Sequence, residues 1–184
     1  TVSFIEVVES NVYIPFLASQ YASVTDLIVS DLSVSSDGIA VTIANQGTID
    51  VVDAFWVDLY INPEPQPTAV NQIWPFLSDE GVVWGIESFA NPTQTLTLAD
   101  AIYVDASGTR LTNFSGLIPA GSTVCVQVDS AGEDGFGGVR EGHEIQGEPY
   151  NNITCITLPE AVEMPVPETT AAPLSTALDP SRPQ

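Results

Sequence analysis

The sequence predicts an all-β protein, an immunoglobulin-like sandwich with an N-terminal strand extension and a Pro-rich C-terminal tail. Three observations carry this reading. Between Asp26 and Leu158 apolar residues alternate in short, β-branched segments, and no stretch has a helical period. Gly, Pro, Asn and Asp cut those segments apart. Seven or more segments fit into about 130 residues, the density of an immunoglobulin-like sandwich, with a jelly roll as the alternative.

Ahead of this body, residues 1–25 form an apolar arm with two strand-like stretches, Val2 to Val8 and Val12 to Leu17. Leu27 to Val34 is the first strand of the body, Asp37-Gly38 a turn, and Ile39, Val41 and Ile43 the inward face of the second strand. Asn45-Gln46-Gly47-Thr48 turns the chain again. Phe55, Val57, Leu59 and Ile61 alternate with Trp56, Asp58 and Tyr60, so both faces of the third strand carry large side chains and the strand is expected to be central. After a Pro-rich loop come strand candidates at Val82 to Phe89, Thr93 to Ala99, Ala101 to Asp105, Thr109 to Phe114, Ser122 to Ser130 and, last, Asn152 to Leu158. From 159 to 184 the composition shifts to Pro, Ala, Thr and Glu, an acidic extended tail.

The chain of 184 residues has room for one domain with extensions. Its formal charge is −21 with no Lys and only Arg110, Arg140 and Arg182, so it has no footprint for nucleic-acid phosphates or anionic membranes. Copies repel one another, and association requires apolar burial or bound metal. No apolar run approaches the roughly 18 residues that span a bilayer. The absence of an initial Met and of a basic leader fits a secreted form already processed. Cys125 and Cys155 lie in separate strand-like segments. If those strands are neighbours, a disulfide closes a loop of about thirty residues and adds on the order of 3 kcal/mol, which points outside the cell; the alternative is two buried thiols in a reducing compartment.

Several short motifs follow one another in a characteristic order: Asn45-Gln46-Gly47-Thr48, Phe55 through Pro63, Val83-Trp84-Gly85, Gln127-Val128-Asp129, His143-Glu144-Ile145, and Pro149-Tyr150-Asn151-Asn152. Together they resemble the CARDB family, the cell-adhesion-related domains of bacteria, over Asp26 to Leu158. The resemblance implies an immunoglobulin-like sandwich in a secreted or cell-surface bacterial protein without a catalytic site. Its closing pattern of a Val-Asp strand end, an acidic loop and an Asn-Asn pair is met at Asp129, Glu141 and Asn151-Asn152. Such domains commonly occur as repeats, whereas one copy stands here between arm and tail, and the cysteine pair looks particular to this chain.

Candidate sites are few. Asp129, Asp134 and Glu141 lie in a Gly-rich acidic loop that offers hard oxygen ligands for calcium, against the alternative of a solvated loop. His143 is the only histidine; Gly147 stands where a zinc-protease motif needs its second, and no nucleophile elbow is present, so a packed loop histidine is expected and no enzyme activity. Trp56, Tyr60, Trp74 and Trp84 offer a candidate sugar platform, against packing in the interior.

Two functional expectations follow. The first is an extracellular structural subunit that assembles into a filament or appendage by strand addition, with Val2, Phe4, Val12, Ile14 and Phe16 of one copy completing the sheet of the next. The alternative for the arm is that it folds back and adds strands to its own sandwich. The second is a monomeric cell-surface module for adhesion or glycan binding.

Overall fold

A computed structural model describes residues 24–87, 89, 92–105, 107–133 and 135–167. The arm residues Val2, Phe4, Val12, Ile14 and Phe16, the loop residue Asp134 and the chain from 168 onward lie outside the described residues.

The body is an all-β sandwich. One sheet has three antiparallel strands in the order β1 (Leu27–Ser35), β2 (Gly38–Asn45) and β5 (Thr93–Thr97). The facing sheet runs β4 (Glu80–Ile86), β3 (Phe55–Ile61), β7 (Thr123–Val128), β8 (Ile153–Thr157). These orders match the A-B-E and C′-C-F-G arrangement of immunoglobulin-like sandwiches, without a strand D. A small third pairing joins β6 (Leu117–Ile118) to β9 (Val162–Glu163). Two short helices, α1 (Trp74–Leu77) and α2 (Gly142–Gln146), and a 3-10 turn at Leu98–Asp100 complete the described elements.

Alternation builds the core. Leu27, Val29, Ile39, Val41, Ile43 and Leu96 meet Phe55, Val57, Leu59, Trp84, Val124, Val126 and Val128 between the sheets. All seven residues of β3 are buried, as expected for a central strand, because a second apolar layer covers the outer face of its sheet. There Trp56, Tyr60, Val83 and Cys125 pack with Ile73, Trp74, Ile102 and Ala131. Cys125 and Cys155 are direct cross-strand partners of β7 and β8 and form a disulfide.

Three expectations are corrected. Ala101 to Asp105 and Thr109 to Phe114 are not strands; they make only isolated bridges, Val104 with Arg110 and Asn113 with Gly81. The Asp105 carboxylate accepts the N–H groups of Ser107 and Thr109, and this local turn takes donors that a longer ladder would need. The segment instead runs along the outer edge of β4, where Ile102 donates to the Val83 carbonyl. Pairing also continues past Pro159: β9 joins β6, and Met164 is buried in the main core. Asn152 to Leu158 is therefore not the last strand.

Candidate functional site

The most unusual polar environment lies where the chain enters β1. Thr25 forms a parallel bridge with Glu141, Gly142 donates to the Thr25 carbonyl at 3.0 Å, and the Thr25 hydroxyl donates to the Arg140 carbonyl at 2.6 Å. These contacts tie the root of β1 to the start of α2. Asn45 at the end of β2 reinforces the arrangement, since its Oδ1 accepts from the N–H groups of Asp26 and Gly47. Gly47 is required there: a Cβ would come within 2.3 Å of the Val24 carbonyl oxygen.

Three side chains converge on this junction. Asp26, Glu141 and His143 present one oxygen or nitrogen each, all within 4.8 Å of one another. His143 Nδ1 lies 3.6 Å from Asp26 Oδ1 and 3.9 Å from Glu141 Oε2. The Glu141 carboxylate is fully buried and accepts from the Leu27 N–H and the Asn152 amide. Asp26 is partly buried and accepts from Asn151 Nδ2 at 2.9 Å and Gln46 Nε2 at 2.8 Å. His143 is buried beside the Tyr150 ring, and neither of its ring nitrogens has a hydrogen-bond partner. The Oδ1 atoms of Asn151 and Asn152 are likewise buried and unpartnered. Burial pushes Glu141 up to about 8, against the opposing pull of its hydrogen bonds from Leu27 and Asn152. Burial also lowers His143, against the nearby Asp26 and Glu148 charges.

Asp129 has a different task. It is fully buried, and its two oxygens accept from Gly138 N–H at 2.7 Å and Val139 N–H at 3.0 Å, so it shapes the loop that delivers Glu141. Gly137 sits against this carboxylate, where a Cβ would approach to 2.4 Å. Of the three calcium candidates, Asp129 and Glu141 are thus engaged with backbone donors, and Asp134 is outside the described residues. The structure groups Glu141 with Asp26 and His143 instead. Sequence spacing held no signal for this, because 115 positions separate Asp26 from Glu141 and only strand order brings them together.

The four aromatics of the candidate sugar platform are all buried and divide between two layers. Trp84 lies between the sheets with its Nε1 donating to the Thr97 carbonyl, while Trp56, Tyr60 and Trp74 pack in the outer cluster. Tyr60 donates to Gln127 Oε1 at 2.6 Å, and Gln127 donates to the Ala69 carbonyl and the Tyr150 hydroxyl. Asp58 accepts from the Trp74 N–H and the Ser130 hydroxyl. This buried polar network holds the second layer in place.

No family model matches the chain, and no curated protein matches it. Among solved structures it is similar to the selenomethionine-labelled β-glucosidase from Kluyveromyces marxianus, at 16% identity and a TM-score of 0.30, over 76% of this chain and 14% of that one. The same enzyme in complex with glucose gives 17% identity and a TM-score of 0.31, over 77% and 14%. The chain thus spans about a seventh of the length of those structures, and at these TM-scores neither likeness bears on function. Among the described residues no helix is long and apolar enough to cross a membrane.

Proposed function

We propose that the protein is a non-catalytic extracellular structural subunit, akin to the bacterial CARDB domains, that self-assembles by adding the N-terminal arm of one copy to the sandwich of another. The observation that supports this reading is the edge at β5. It is the end strand of the three-stranded sheet and pairs only with β2 among the described strands. Its sequence, Thr-Gln-Thr-Leu-Thr, has no charge and no Pro, and every residue but Leu96 is exposed. An unprotected edge of this kind is a template for a further strand. Beside its Thr97 end lies a groove of about 420 Å³ lined by Ile39, Ala40, Leu98, Pro165 and Val166 among others, a seat for apolar side chains of an added strand. The arm offers Val2, Phe4, Val12, Ile14 and Phe16 in alternation for such seats. The disulfide favours an oxidising compartment.

Sedimentation of the full chain beside a variant lacking residues 1–20 tests the proposal. The full chain is expected to form oligomers and the variant to be monomeric. A synthetic peptide of residues 1–20 added to the variant is expected to slow hydrogen exchange of the β5 amides. A full chain as monomeric as the variant, with β5 exchange indifferent to the peptide, would sink strand addition.

A further inference from the structure

We propose that Asp26, Glu141 and His143 form a binding site for a divalent metal ion of the zinc class, which ties the root of β1 to α2. Two oxygens and one imidazole nitrogen are a donor set that zinc accepts. With bonds of about 2.0 to 2.1 Å, tetrahedral zinc holds its ligand atoms about 3.3 Å apart. His143 Nδ1 already stands 3.6 and 3.9 Å from its two oxygen partners, and all three atoms lie within 4.8 Å of one another, so closing on an ion draws the ligands together by at most about 1.5 Å.

The independent observation is the unmet hydrogen-bonding capacity. His143 is buried, with its Nδ1 aimed between two carboxylates and bonded to neither. Among the described residues, the buried side-chain polar atoms without a partner are the two ring nitrogens of His143 and Oδ1 of Asn151 and Asn152. All belong to this one junction. Buried polar groups are almost always paired, so such a group of orphans marks a place built for something more.

The surroundings also suit a metal. Ligating carboxylates are normally fixed by outer hydrogen bonds, and here Asn151 holds Asp26 while Asn152 and the Leu27 N–H hold Glu141. With the Glu141 proton released to solvent on binding, two carboxylates and a neutral imidazole balance a doubly charged ion. Calcium and magnesium prefer all-oxygen sites and are poorly served by an imidazole.

The single histidine makes the test direct, because its imidazole signals in nitrogen NMR need no assignment. Zinc chloride titrated into the full chain should move the His143 ring signals to saturation at one equivalent and raise the melting temperature, and EDTA should reverse both. Asp26→Asn, at the more exposed ligand, should weaken zinc binding at least about tenfold. Calcium chloride should leave the ring signals in place. Ring signals that ignore excess zinc would overturn the proposal and leave a water-filled pocket, as would an equal response in Asp26→Asn. A rise in melting temperature without movement of the ring signals would overturn it too, since that is zinc on surface carboxylates.

Discussion

The Trp74 indole lies flat against Gly81: a Cβ at position 81 would fall within 2.4 Å of the ring. This contact seats α1 on the outer face of β4 and closes the second apolar layer. Gly81→Ala is therefore expected to cost about 1–3 kcal/mol by overpacking, read as a lower urea midpoint with an unchanged slope. In a Trp74→Ala background the same change should cost less, because the ring contact is gone, but some cost should remain, because the Leu59 carbonyl oxygen also lies 2.6 Å from that Cβ.

Gly137 and Gly121 separate the cost of a left-handed backbone from the cost of a side-chain clash. Both have positive φ, +78° and +79°, but only Gly137 faces a group, the Asp129 carboxylate. Gly121→Ala should cost about 1–2 kcal/mol from the left-handed backbone alone. Gly137→Ala should cost clearly more, and equal losses in denaturant titrations would show that the loop around Asp129 yields freely.

Removing the disulfide by Cys125→Ala with Cys155→Ala should lower stability by about 3 kcal/mol through the freed loop. Equilibrium unfolding of the double variant checks this, and its fold should persist because β7 and β8 remain paired along five positions.

Asp105 gives a pH dependence with a defined sign. Its hydrogen bonds, first from the Ser107 side chain and then from the Thr109 backbone, hold its carboxyl below the usual aspartate value of 3.8. A depressed folded-state value means a contribution to stability that is complete above the ordinary value and is lost as pH falls below it and through the lower folded-state value. Asp105→Asn should therefore flatten the acid limb of melting temperature against pH, and an identical limb in the variant would contradict this.

The proposed strand addition would proceed against a charge of −21 on every copy. Salt screens that repulsion, so self-association should strengthen from low to moderate ionic strength. Sedimentation across a sodium chloride series reads the trend, and dissociation on adding salt would indicate a contact held by charge rather than by burial.

Much of the sandwich was legible because its signals are local. The Phe55 to Ile61 alternation specifies a strand buried on both faces, and Val124, Val126 and Val128 specify an inward edge without knowledge of their neighbours. Short elements were not legible. A two-residue strand such as β9 or a five-residue helix such as α2 shows no period, and both exist because tertiary partners hold them. The same limit hid the candidate site. His143 stood out in the sequence as a solitary histidine and Glu141 as a calcium candidate grouped with Asp129 and Asp134, while Asp26 had no distinguishing mark before β1 placed it beside them.

The link between Cys125 and Cys155 has a mechanical meaning for a chain pulled from its two ends. It joins two adjacent strands of one sheet, so β8 cannot peel from β7 under tension. The segment between the two cysteines, a sequence separation of 30, is withheld from stretching, which removes about 100 Å of extensible length. Force that opens both sheets would leave the segment from Cys125 to Cys155 as a closed loop, a fuse that lengthens only part way.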